Sequence, residues 1–365
     1  MSAKRRRRRV NPVRMILLLV IVIVLVGAGC GTIYVTKSLK ATGTGDNKIV
    51  VSIEEGESLD SVLSDMQEKG LIRSASVAKL YSKIKKASYM AGTFELNDGM
   101  NVGDIFSYIS DASNVKKDYL KLTVPEGKWA KEIAQSISEL YNGKYTKSEI
   151  LEKWNDIDYI KTLAKDYSFL NVSDLNNDNY KVKLEGYLFP DTYYLESDNT
   201  IDDITRVMLD RFQTMYDENK SAFESSSYSV HEIISLASVV QFEASSSSDM
   251  KTIAGVFYNR LKDGMMLQSS VTVCYALYDD FNDPEDCETN TEVDSPYNTY
   301  LNTGIPIGPI LNPGEEAIVA TLNPDNNDYL FFAADIYNKV DGKVHYSKTY
   351  EEHLAVCEEL GLNLD

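Results

Sequence analysis

A pattern that occurs three times in the first third of the chain limits its fold more than any other feature. It runs Val51-Ser-Ile-Glu-Glu-Gly-Glu-Ser-Leu-Asp-Ser-Val62, then Phe94-Glu-Leu-Asn-Asp-Gly-Met-Asn-Val-Gly-Asp-Ile105, then Leu122-Thr-Val-Pro-Glu-Gly-Lys-Trp-Ala-Lys-Glu-Ile133. Each copy alternates apolar and polar residues, passes through an acid-Gly pair, and continues with apolar residues at helical spacing. Strand, turn and amphipathic helix are therefore expected three times over. The glycine suits a left-handed turn residue. The pairs Val51/Ile53, Phe94/Leu96 and Leu122/Val124 are expected to face one common core, since alternate residues of a strand share a face. The fold class that follows is α+β.

The N-terminus carries a second constraint. Lys4, the run Arg5 to Arg9 and Arg14 precede 22 uncharged residues, Met15 to Thr36, rich in Leu, Val and Ile. At about 1.5 Å rise per residue such a helix spans a hydrocarbon core of about 30 Å. It is long for the apolar region of a cleaved signal and has no clear small-x-small cleavage site, so a retained transmembrane helix is expected. The basic cluster places residues 1–14 in the cytoplasm and the rest outside the cell membrane, as a single-pass protein. Residues 37–46 then form a linker.

Charge narrows the partners. Seven of the 37 Lys and Arg lie within residues 1–14, which hold no acid, and this leaves 30 against 55 Asp and Glu, a net charge of −25 beyond Arg14. Nucleic acid is excluded as a partner, because phosphate binding needs a basic surface. A neutral polymer remains open. No metal or other cofactor is expected, since His231, His345 and His353 lack ligand spacing. Cys274 and Cys287 are spaced so that a disulfide could form, but Cys357 is left over and free thiols fit equally well.

Glu243 points to chemistry. It closes the segment Glu232-Ile-Ile-Ser-Leu-Ala-Ser-Val-Val-Gln-Phe-Glu243, seven residues after Leu236 and three and four after Val240 and Val239. The carboxylate thus continues the apolar stripe of a helix. Desolvation there raises a carboxyl pKa towards the range of a general acid.

Further blocks follow in order: Leu184-Glu-Gly-Tyr-Leu-Phe-Pro-Asp-Thr-Tyr193, Ile253-Ala-Gly-Val-Phe-Tyr-Asn-Arg-Leu261, Met266-Leu-Gln-Ser269, Tyr297-Asn-Thr-Tyr300 and Gly304-Ile-Pro-Ile-Gly-Pro-Ile310. With the Glu243 segment this set resembles the MltG (YceG-like) family of endolytic murein transglycosylases. The resemblance implies a LysM-like membrane-proximal module over residues 47–120 and a mixed α+β catalytic domain over 121–365. It implies peptidoglycan glycan strands as substrate and Glu243 as the catalytic acid. It also implies a bilayer contact through residues 15–36 and coupling to peptidoglycan synthases and division proteins.

By position, Asn259, Gln268, Tyr297 and Asn298 would hold N-acetyl and hydroxyl groups, and Tyr187 and Phe189 would offer aromatic faces to sugar rings. Glu185 and Asp191 are the nearest candidates for a second acid. Gln241 stands where many relatives carry one. Arg260 is expected to bind Asp249 or a backbone carbonyl, because a guanidinium against Glu243 would spoil a proton donor.

A lytic transglycosylase manages with one carboxylate. The C6 hydroxyl of N-acetylmuramic acid is the nucleophile, and the same Glu first gives a proton to the leaving oxygen and then takes one from that hydroxyl. The alternatives are a hydrolase that pairs Glu243 with Glu185 or Asp191, and a glycan-binding envelope scaffold without activity. A serine hydrolase built on Ser245 to Ser248 lacks a Gly-x-Ser-x-Gly elbow.

Overall fold

The computed structural model describes residues 31–116, 119–244, 246–280, 285–335 and 338–362. The chain divides into two compact units, one ending at Tyr119 and the other beginning at Leu120.

In the first unit, β1 (Lys48–Ile53) pairs antiparallel with β2 (Gly92–Asn97), with Val51 opposite Phe94. The helices Leu59–Glu68 and Ala75–Lys85 lie between the strands in sequence, and Val102–Ile109 follows β2. Ser58, Ser74 and Asn101 cap these helices by accepting from backbone N–H groups of their first turns. Val51, Ile53, Phe94 and Leu96 meet Leu63, Met66, Ile105 and Phe106 in one core. The first repeat glycine serves the turn, with Gly56 at φ 83°. Gly99 serves packing instead, because a Cβ there would lie 2.7 Å from the Gly45 Cα.

The third copy leaves that core. β3 (Tyr119–Val124) pairs with β4 (Asp191–Glu196), and Leu122 and Val124 pack with Ile133, Ile137, Leu184 and Phe212 in the second unit. The expectation of one common core is corrected accordingly. A strand buries its apolar face against whatever partner it pairs with, and β4 arrives about 70 residues later in the chain.

A second core of the same unit gathers the helices Val230–Glu243, Ser247–Lys262 and Glu315–Leu322 around Leu236, Val239, Val240, Ile253, Phe257 and Ala317. The hairpin of β5 (Phe331–Ala334) and β6 (Val344–Ser347) packs with the helix Tyr350–Leu360.

The fold is mixed α+β, and the expected transmembrane helix is corrected. Residues 15–30 lie outside the described residues, residues 31–38 are helical, and among the described residues no helix is long and apolar enough to cross a membrane. Ile201–Glu218 reaches 18 residues but carries Asp202, Asp203, Asp210 and Asp217 and buries a single stripe from Ile204 to Tyr216. That is the pattern of a helix lying on a core.

Candidate active site

The helix Val230–Glu243 starts with a capping box. Ser229 accepts from the Glu232 N–H, and Glu232 accepts from the Ser229 N–H. Every residue from Ile233 to Val240 is buried, after which the helix emerges: Gln241 is half-buried, Phe242 is 61% exposed and Glu243 is half-buried. Glu243 is the last helical residue. Burial raises its carboxyl pKa above the ordinary value, against a lowering hydrogen bond from Ser269 and the charge of Arg260. The negative end of the helix dipole acts in the same direction as burial.

Ser269 holds the carboxylate. Its hydroxyl donates to Glu243 Oε1 at 2.5 Å, and its side chain is buried. The Ser269 N–H donates to Thr299 Oγ1 at 3.0 Å, and the Thr272 hydroxyl donates to the Ser269 carbonyl at 2.7 Å. The Gln268 N–H adds a bond to the Thr299 carbonyl at 3.2 Å. These bonds join two blocks that lie 30 residues apart. Gln268 sits at φ 50°, a left-handed conformation uncommon for a side chain of its size. That twist exposes Gln268 between the buried Leu267 and Ser269.

Arg260 turns to backbone carbonyls. Its Nε donates to Leu330 O at 2.6 Å and its Nη1 to Leu267 O at 2.9 Å, with the guanidinium over the Phe331 ring. Asp249 instead accepts from the Tyr346 hydroxyl. Glu243 thus feels the cation without a direct ion pair.

The other sequence candidates fall in different places. Tyr187 and Phe189 are core residues, 1% and 3% exposed. Both pack on Phe212, and the Tyr187 hydroxyl meets His231 Nδ1 at 3.0 Å. Their proposed contact with sugar is corrected, because neither face is open. Tyr297 is 2% exposed and stands edge-on to Tyr275. Asn298 is fully buried, donates to the carbonyls of Thr291 and Val293, and shapes its own loop. Asn259 donates to Asn327 and Tyr329 carbonyls. Of the predicted binding residues only Gln268 is exposed.

The two further acids are engaged. Glu185 is 1% exposed and accepts from the Ala130 N–H, the Asn312 side-chain amide and the Tyr275 hydroxyl. Burial pushes its pKa up to about 8 against those three donors. Asp191 pairs with Arg211 at 3.0 Å. Cys274 and Cys287 form a disulfide, and Cys357 is free and buried. Ser246 caps the helix Ser247–Lys262, and Ser245 lies outside the described residues.

Three neighbours were given no contact with the acid by the sequence alone. Phe242 offers an exposed ring next to the acid. The half-buried Tyr300 hydroxyl has its pKa raised by burial and then by the charge of Glu243. Gln241 bridges two segments, donating to Glu126 Oε2 at 3.2 Å and accepting from the Gly314 N–H at 2.8 Å. Phe242 was open to prediction from helical phase alone, whereas the other two depend on chain crossings that no local pattern encodes.

Comparison with known proteins places this arrangement. The model of the YceG-like family matches residues 51–359. An endolytic murein transglycosylase of Bacillus subtilis is 35% identical over 341 residues, covering 90% of each chain. One from Streptococcus pneumoniae is 31% identical, with 88% of this chain matched to 60% of that protein. The crystal structure of a yceG-like protein from Listeria monocytogenes is 34% identical and superposes with a TM-score of 0.59, over 85% of this chain and 99% of that one. On sequence and on structure, the chain belongs to the YceG-like family.

Proposed function

We propose that this chain is a peptidoglycan lytic transglycosylase, and that it cuts the β-1,4 bond between N-acetylmuramic acid and N-acetylglucosamine within the strand. The observation that carries the reading is Glu243, a half-buried carboxyl at a helix end with one oxygen held by Ser269. Oε2 is then the oxygen that bears the proton. It protonates the glycosidic oxygen as the C1–O bond breaks. The C6 hydroxyl oxygen bonds to C1, and its proton returns to the carboxylate. A tethered nucleophile needs less activation than free water. The product ends in 1,6-anhydro-N-acetylmuramic acid. Phe242 and Gln268, both exposed beside the acid, are the side chains best placed to meet the sugar.

The two-carboxylate alternative is disfavoured by what the other acids do. Glu185 is enclosed by three donors and Asp191 by Arg211, so neither is free to activate water. Digestion of murein by the purified full chain in oxygen-18 water separates the two. Anhydro ends without label are expected, because water takes no part in forming the new bond. Labelled reducing ends would mean hydrolysis and would overturn the mechanism while leaving Glu243 as the acid.

Ser269 is a positioning residue in this scheme. Its hydrogen bond favours the ionised form of Glu243, so Ser269→Ala raises the carboxyl pKa further. The enzyme needs the protonated acid, and its activity falls as pH rises through that pKa. In Ser269→Ala the alkaline limb of the pH profile therefore moves to higher pH while kcat drops about tenfold, the scale of one lost charge-assisted hydrogen bond. Ser269→Thr restores both. A profile unmoved by Ser269→Ala would remove Ser269 from the mechanism.

The strand-helix-helix-strand order of the first unit supports reading it as a LysM-like module for N-acetylglucosamine chains. The Cys274–Cys287 disulfide supports an oxidising compartment outside the cytoplasm.

A further inference from the structure

Away from Glu243, the second unit contains a cavity of about 340 Å³ formed by the end of β3 and the helix Ala130–Leu140. Val124, Pro125 and Ile133 supply apolar surface, and Lys128, Lys131 and Lys147 supply charge. Glu132 is the single acid of the lining. A chain with 55 acids here concentrates three half-buried lysines around one space.

One acid among three lysines leaves the lining with a net positive charge. Lys128 pairs with Glu132 at 2.6 Å, but the same carboxylate also accepts from the Trp129 N–H at 2.9 Å. Lys131 donates to the Tyr278 carbonyl and lies over the Trp129 and Tyr278 rings. Burial lowers the Lys131 pKa, and the charge of Lys147 lowers it further, against the raising charge of Asp279. Among the described residues, no hydrogen bond or ion pair engages the Lys147 ammonium. It is the first residue of the helix Lys147–Asn155, where the positive end of the helix dipole disfavours a cation. A position with no internal gain points outward, to an anion.

We propose that this cavity binds the carboxylate of a short peptide, namely the stem peptide borne by the glycan strand. The inference rests on the murein reading above for the identity of that peptide. Three features favour a peptide over a bare anion. The volume lies in the range of small-ligand sites. The apolar side chains suit methyl groups beside the carboxylate. The segment Thr123–Lys128, which borders the cavity, also carries Glu126 to its contact with Gln241, two residues before Glu243. That segment thus links the cavity to the helix end that presents Glu243. Phosphate would satisfy the same lysines and is tested alongside.

Calorimetric titration of the full chain with free murein tetrapeptide is the test. The peptide should bind, and about tenfold more weakly once its carboxylates are amidated, one decade being the scale of a lost charged contact. Lys147→Gln together with Lys128→Gln, which keep the side-chain stems, should weaken binding by a similar factor. Equal binding of free and amidated peptide, or unchanged binding by the double variant, would overturn the site. Inorganic phosphate that binds more tightly than the peptide and is not displaced by it would overturn the carboxylate assignment. Because binding is read without catalysis, a chain that holds the peptide but cuts no strand would refute the proposed function and leave this site standing.

Discussion

Glu243→Gln leaves a folded protein that no longer cuts murein. The amide keeps the size of the carboxyl and can still accept the Ser269 hydroxyl at the oxygen that now takes it, so the local geometry survives. What disappears is the exchangeable proton. General acid-base catalysis contributes about 10²–10⁴ in rate, and here one group supplies both halves, so a loss of about a thousandfold or more is expected. Stability moves the other way. Burial disfavours the charged carboxylate, and removing the charge should hold the melting temperature or raise it slightly. Anhydro-muropeptides quantified by mass spectrometry, beside thermal melts of both proteins, check the two parts. More than a few per cent residual activity in the folded variant would take Glu243 out of the acid role.

The helix that presents Glu243 was legible because periodicity is local. Leu236, Val239 and Val240 recur at helical spacing, and the structure buries all three. The carboxyl that follows them could be placed at the helix end from the same count. Its partner could not be. Ser269 lies 26 residues on and reaches Glu243 only because its backbone is bonded to Thr299, a contact between loops that leaves no period in the sequence.

Burial of aromatic and amide side chains is the matching blind spot. Tyr187 and Phe189 read as sugar contacts only through the block they occupy, and core aromatics have the same composition as binding-site aromatics. Asn298 and Asn259 are alike in this respect, since an amide that bonds carbonyls of the protein's own backbone is spelled as one that bonds a ligand. The third repeat shows the limit for strands. Leu122 and Val124 keep the alternation of Val51 and Ile53, but alternation fixes which side chains share a face and leaves open which sheet receives that face.

Glu185 produces the largest expected change in stability. Its partners are separated from it by 55, 90 and 127 residues, so it ties the start of the helix Ala130–Leu140, the helix Ser270–Leu277 and the Asn312 loop to one point. Asn312 extends the knot by accepting from the Gly186 and Leu188 N–H groups. Glu185→Ala would leave three buried donors without an acceptor, at about 1–3 kcal/mol each, and a loss of about 4 kcal/mol or more is expected. Glu185→Gln tests the charge alone. The folded carboxyl has its pKa raised from 4.5 to about 8, so its stabilising share is complete below pH 4.5 and is lost as pH rises through about 8. At about 1.4 kcal/mol per pH unit, that share approaches a ceiling of about 5 kcal/mol. The difference in unfolding free energy between wild type and Glu185→Gln should therefore depend on pH: the wild type should gain on the variant at pH 5 and fall behind it near pH 9. Urea melts at those two values decide the matter. A constant difference would mean that Glu185 stays ionised in its knot, with its three donors outweighing the cost of burial.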